Sequence, residues 1–125
     1  MKKIKTVHEL LPCKPRRILQ WEEDTESHRI IVLRPKFTNE LAQRIFTPFM
    51  KSTYFRVKLD DLGSFVWQRC DGETSVEEIG KILGEKFGAN IEPIYDRLAR
   101  FIFQMHKGKF VELLCPQDED RSELS

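Results

Sequence analysis

The sequence contains no Cys-x-x-Cys and no His-x-x-x-His. A zinc site would have to gather its ligands from across the fold, and none is expected. The three cysteines, Cys13, Cys70 and Cys115, lie far apart. An odd number with no paired spacing argues against a disulfide framework, and reduced thiols fit a cytoplasmic protein. His8, His28 and His106 show no metal-ligand spacing with them. The longest apolar runs, such as Ile30–Leu33, are far too short to cross a bilayer. The basic start Met1-Lys-Lys-Ile-Lys5 is followed by no apolar stretch and does not read as a secretory signal. There is no Gly-rich phosphate loop, no nucleophile elbow and no metal-binding helix motif. These absences argue against an enzyme, and neither a catalytic residue nor a cofactor is expected.

What remains is a 125-residue chain, 40% hydrophobic and 33% charged, with nine phenylalanines. That is enough for one domain with an aromatic core. The net charge of +1 hides an asymmetry. Residues 1–58 carry 13 Lys/Arg against 6 Asp/Glu, and residues 59–125 carry 8 against 14. Two oppositely charged halves attract each other in a folded chain, which is the commoner meaning of such runs. The sharper reading is a basic face that draws in an acidic partner such as a peptide.

Along the chain, residues 1–12 read as an arm docked by Leu10 and Leu11, with Pro12 and Pro15 keeping the next segment extended. Ile18–Glu22 and Arg29–Arg34 read as strands of an antiparallel hairpin about the polar turn Asp24–Ser27. Over Thr38–Lys51 the stripe Leu41, Ile45, Phe46 and Phe49 predicts a short helix that Pro48 ends or kinks. Tyr54–Leu59 alternates Tyr54, Arg56 and Lys58 with Phe55, Val57 and Leu59, the period of a half-buried strand. Asp60 is placed to cap the next helix, whose inner side holds Leu62, Phe65 and Val66, and Asp71-Gly72 ends it. Ser75-Val-Glu-Glu78 is a capping box opening a helix with the stripe Val76, Ile79, Leu83 and Phe87. Ile91–Lys107 carries Ile91, Ile94, Leu98, Phe101, Ile102 and Met105 on one face, with Pro93 in its first turn. Phe110–Leu114 reads as a closing strand or wing. The remaining acidic tail has little to bury and is expected to be disordered.

Single residues with chemically capable side chains have plainer explanations. Asp60-Asp61 at a helix start is a cap plus a charge that complements the helix dipole. Cys70 has no histidine near it in sequence and packs as a small hydrophobe. His106 near a helix C-terminus suits the dipole there.

The stretch from Val57 to Ile79, with Leu59-Asp60, an aromatic-bearing helix, Cys70-Asp71-Gly72 and Thr74-Ser75-Val76, resembles the PqqD-like proteins. These peptide-binding winged-helix modules are also called RiPP recognition elements. A third amphipathic helix with Arg97, Leu98 and Phe101 completes the pattern, which covers most of residues 10–114. The resemblance implies an α+β, winged-helix-like fold, with a three-stranded antiparallel sheet on three helices. Here a short helical insertion, longer than in compact members, precedes the third strand. It divides the chain into an arm (1–12), a peptide-binding domain (13–114) and the tail (115–125).

The resemblance further implies a non-catalytic peptide chaperone, in PQQ-type or other RiPP biosynthesis. Such a protein captures the leader of a ribosomal precursor peptide and presents it to a modifying enzyme, often a radical S-adenosylmethionine protein. The leader would add as a strand to Tyr54, Phe55, Arg56, Val57, Lys58 and Leu59, beside the last helix with Arg97, Arg100, Phe101 and Gln104. Arg97 and Arg100 would pair with an acidic leader residue. For a single Arg a plain solvated surface explains as much, and Phe101 and Leu98 fit a core as well as a pocket. An open strand edge also permits a homodimer.

Two alternatives stand beside this reading. A winged-helix nucleic-acid binder would use the last helix in a major groove, but Glu92 and Asp96 beside Arg97 and Arg100 give no strong basic footprint. A general protein-interaction scaffold would use the same edge and helix face, and the residues do not separate it from leader binding.

Overall fold

Alternating and β-branched residues give the chain its sheet, and two capped helices and a long amphipathic one give the rest. The computed structural model describes residues 6–36, Arg44 and 54–116. It is an α+β structure whose main sheet is three-stranded and antiparallel. Apart from Arg44, the helix expected within Thr38–Lys51 lies outside the described residues. The chain divides into two units, Leu19–Ser64 on one hand and Met1–Ile18 with Phe65–Ser125 on the other.

In the unit Leu19–Ser64, β2 (Gln20–Glu23), β3 (Ile30–Pro35) and β4 (Tyr54–Lys58) form the sheet in the order β2-β3-β4. The expected hairpin is present: Trp21 faces Val32, and Val32 faces Val57. Its turn is built by Asp24. The Asp24 carboxylate accepts from Ser27 Oγ at 2.7 Å and Glu26 N at 3.4 Å, and Asp24 N donates to Arg29 O at 2.9 Å. Ile30, Ile31 and Val32 are buried.

Asp60 caps α2 (Asp61–Arg69) as its sequence position predicts, its Oδ1 accepting from Gly63 N at 2.7 Å. Buried Ser64 Oγ accepts from Ile30 N at 2.9 Å and donates to Leu59 O at 3.4 Å, which ties the first turn of α2 to β3. Arg29 pairs with Asp61 at 2.9 Å across the same junction.

The other unit begins with α1 (Val7–Leu10), capped by Thr6 and anchored by the fully buried Leu10. β1 (Lys14–Arg17) pairs antiparallel with β5 (Val111–Leu114), with Lys14 opposite Leu114 and Arg17 opposite Val111. The closing strand is therefore half of a separate two-stranded ribbon and not a fourth member of the main sheet. Ile18 N donates to Phe110 O at 3.1 Å, extending this ribbon by one bond. That bond explains why the first strand of the hairpin starts at Gln20 and not at Ile18.

Between them run α3 (Val76–Phe87), a 3-10 turn (Gly88–Ile91) and α4 (Ile94–Lys107). Ser75 caps α3 as the capping box requires: its Oγ accepts from Glu78 N and donates to Glu78 Oε1, both at 3.2 Å. α4 begins three residues later than its apolar stripe predicts. Pro93 is its N-cap, not a first-turn residue, and Glu92 is extended at φ −69°, ψ 145°. A residue preceding proline is pushed out of the helical region, so the stripe residue Ile91 ends the 3-10 turn instead. Trp67, Ile79, Leu83, Leu98, Ile102 and Val111 form the core of this unit.

Cys70-Asp71-Gly72 has a structural task here. Asp71 Oδ1 accepts from Glu73 N at 2.9 Å and Thr74 N at 2.8 Å, and its Oδ2 from Thr74 Oγ1 at 3.1 Å. Gly72 takes φ +80°, a left-handed conformation that glycine adopts freely. Its N–H donates to Pro15 O at 2.8 Å, while Arg17 N donates to Cys70 O at 3.0 Å. The turn thereby flanks β1.

The expectation of three reduced cysteines is overturned. Cys13 and Cys115 form a disulfide, with Cα atoms 4.2 Å apart and 102 residues between them in sequence. They sit one register step beyond Lys14 and Leu114 in the ribbon, a pairing that sequence spacing does not reveal. Cys70 is free and buried.

Candidate functional site

β4 is at one end of the strand order, and among the described residues no strand pairs with its outer side. Leu59 N donates to Ile30 O at 2.9 Å. Antiparallel strands direct both backbone groups of alternate residues to the same side. Leu59, Val57 and Phe55 therefore bond toward β3, and the N–H and C=O of Arg56 and Lys58 point to the outer side. That is the arrangement strand addition requires.

The side chains of β4 follow the expected alternation only in part. Leu59 is buried and Val57 half-buried, whereas Arg56 and Lys58 are exposed. Arg56 pairs with Glu22 at 2.5 Å and Lys58 with Asp24 at 3.2 Å. Bonds from Ser27 and then Lys58 hold the Asp24 carboxyl at about 2, below the ordinary 3.8. Phe55 breaks the pattern. It is 55% exposed, the most open of the large hydrophobic residues among the described residues, with Lys36 Nζ 5.2 Å from its ring centre. Tyr54, on the other face, is 38% exposed.

The hairpin register adds a residue that sequence reasoning passed over. Trp21 shares a sheet face with Val32 and Val57, and through Val57 with Phe55, two positions along β4. Both Trp21 and Phe55 are exposed. The signal was present in the hairpin itself, since aligning the two strands about the Asp24 turn fixes which residues Trp21 stands beside.

α4 belongs to the other unit. Leu98 and Ile102 are buried, so Leu98 is core and not pocket. Phe101 is half-buried, whereas Arg97, Arg100 and Gln104 are exposed on one side of the helix, as their spacing predicts. Arg97 and Arg100 make no ion pair among the described residues. Tyr54–Leu59 and Arg97–Gln104 thus fall in different units.

No group of three or more His, Cys, Asp or Glu able to hold a metal ion occurs among the described residues. The Cys70 thiol is pushed up to about 12, chiefly by burial, and donates to Val66 O at 3.3 Å. It is an inert core group. For Asp71, burial works to raise the carboxyl, but the bonds from Glu73 and Thr74 outweigh it and hold the group below its ordinary value. That carboxylate is committed to its turn. No helix among the described residues is long and apolar enough to cross a membrane.

No curated protein and no solved structure matches the chain. A family model does, over a shorter span than the 10–114 covered by the sequence pattern. It includes β4, α2, the Asp71 turn, α3, α4 and the first residue of β5. Residues 51–111 match the family described as coenzyme PQQ synthesis protein D (PqqD), and this match supports a PqqD-like family assignment.

Proposed function

We propose that this protein is a non-catalytic peptide chaperone that captures the leader of a ribosomally made precursor peptide by strand addition to β4. The family implies a peptide-binding role in PQQ-type biosynthesis. The observation that carries the finer reading is the outer side of β4, where the backbone groups of Arg56 and Lys58 point away from β3. Each backbone bond formed there contributes about 0.5–1.5 kcal/mol, and exposed Phe55 offers apolar area beside it. Arg97 and Arg100 form a second contact set, suited to an acidic segment of the same peptide, with Gln104 and Phe101 alongside. Residues 13–114 constitute the binding domain. The captured leader is presented to a modifying enzyme, a radical S-adenosylmethionine protein, in the cytoplasm. A second copy of the chain can add to the same edge, so homodimerisation competes with capture.

The test is a titration of isotope-labelled protein with short peptides encoded beside its gene, followed by amide NMR. Shifts concentrated on Tyr54–Leu59 and Arg97–Gln104 support the reading. It fails if no peptide moves these amides while duplex DNA produces broad, salt-sensitive shifts, the signature of phosphate-backbone binding.

A further inference from the structure

The disulfide joins the two ends of the ribbon, but it holds them unequally. On the side of Cys13 the backbone is already fastened. Cys13 O accepts from Val76 N at 2.9 Å and Leu11 O from Glu77 N at 3.1 Å. These bonds satisfy two of the N–H groups that the first turn of α3 leaves without helical partners. Leu10, fully buried, anchors the same segment.

On the side of Cys115 there is much less. Lys14 opposite Leu114 is the last register pair of the ribbon. Leu114 is exposed, and the next residue after Cys115 is Pro116, which has no N–H to donate. Among the described residues no strand pairs with the outer side of β5. Leu114 keeps its backbone bonds to Lys14, and beyond that pair the sulfur bridge is the chief tie on the C-terminal end of β5 among the described residues.

Cys70 stays out of the exchange. It is buried and carries its own hydrogen bond to Val66 O, so Cys13 and Cys115 have only each other as partners within the chain.

We propose that the Cys13–Cys115 bridge is a redox-operated clasp, whose reduction releases the C-terminal end of β5 from β1 while the Cys13 side remains fastened to α3. The reductant is a dithiol. Its thiolate attacks the sulfur of Cys115, the more accessible of the two cysteines, forming a mixed disulfide as the Cys13–Cys115 bond breaks. Cys13 leaves as a thiolate and takes up a proton. The second thiol of the reductant then displaces Cys115 and closes the reductant's own disulfide. Two electrons pass to the protein, and two cysteine thiols result. Oxidised glutathione drives the reverse reaction. In a reducing compartment the clasp is open, and an oxidising one closes it.

This device goes beyond peptide capture, and its test uses no peptide. The full chain carrying Cys70→Ala is equilibrated across a series of reduced-to-oxidised glutathione ratios. Free thiols are counted by alkylation and mass, and amide hydrogen exchange is followed in β5 and α3. The expected result is a single two-electron transition, with β5 amides exchanging roughly tenfold faster or more in the reduced form and α3 amides unchanged. A Cys13→Ser/Cys115→Ser variant should exchange quickly at β5 in every buffer. The clasp is overturned if both thiols alkylate at all ratios, or if β5 protection is the same in the two states. It is also overturned if the double-serine variant protects β5 as well as the oxidised protein does. Should Cys70→Ala not fold, wild-type protein with alkylation mapped by peptide mass gives the same readout.

Discussion

Gly80 and Tyr95 are packed so closely that a methyl group built on Gly80 would lie 2.3 Å from Tyr95 Cε1. Tyr95 cannot simply swing away, because its hydroxyl donates to Glu77 O at 3.1 Å. Glycine inside a helix normally costs stability relative to alanine, so Gly80→Ala would be stabilising on an open surface. Here the sign is expected to reverse. Overpacking of this kind costs about 1–3 kcal/mol, measurable as a lower denaturation midpoint. A double-mutant cycle checks the cause: in a Tyr95→Ala background the same substitution should cost nothing or stabilise. An equal cost in both backgrounds would remove the contact from the explanation.

Ser64 is the one buried polar side chain among the described residues, and both its bonds are made within its own unit. Ser64→Ala leaves Ile30 N without its acceptor at the start of β3. A buried unsatisfied donor costs about 1–3 kcal/mol. The expected outcome is a destabilisation in that range, together with faster hydrogen exchange at the Ile30 amide. Ser27→Ala, which alters the exposed hairpin turn, should leave that amide unaffected.

How far the sequence could be read depended on distance along the chain. Capping signals act within three residues, and Asp60 and Ser75 cap their helices as their positions predict. The α4 stripe was equally local, though Pro93 moved its start from Ile91 to Ile94. What escaped was pairing at long range. β1 contains a proline and three basic residues in a Lys-Pro-Arg-Arg run, with no alternation to mark it. Its partner lies some hundred positions away, as does the partner of Cys13. Of the candidate site, the alternation of β4 was visible in sequence, and the exposure of Arg97, Arg100 and Gln104 followed from helical spacing. The exposure of Phe55 was not visible, because an apolar residue in an alternating strand reads as an inward one.

Asp24 makes the hairpin sensitive to acid. Its carboxyl is held at about 2 against an ordinary 3.8, first by Ser27 Oγ and then by Lys58. A group whose folded value is depressed contributes stability that is fully present above the unfolded value and is lost as pH falls through the folded one. The loss should therefore occur between roughly pH 4 and pH 2, as a fall in protection of the β2 and β3 amides. Asp24→Asn should be less protected at neutral pH and should lack that fall. If the variant shows the same acid loss, other carboxylates are responsible.

The outer side of β4 can be tested with proline, because direction along the strand separates two otherwise similar substitutions. Arg56 N–H points away from β3, so Arg56→Pro removes no bond of the ladder, and proline is tolerated on edge strands in that orientation. Phe55, the residue before it, is already in a strand, the conformation a following proline favours. Val57 N–H points toward β3, and Val57→Pro is expected to disrupt the sheet. If the leader adds as a strand, Arg56→Pro should keep the fold, as judged by the β2–β3 amide shifts, yet bind peptide more weakly. Losing one backbone bond of about 0.5–1.5 kcal/mol raises Kd roughly two- to tenfold. Arg56→Ala is the control, since it also removes the ion pair to Glu22 but keeps the N–H. Equal binding by the proline and alanine variants would mean that the peptide does not use this backbone, and that capture runs through side chains alone.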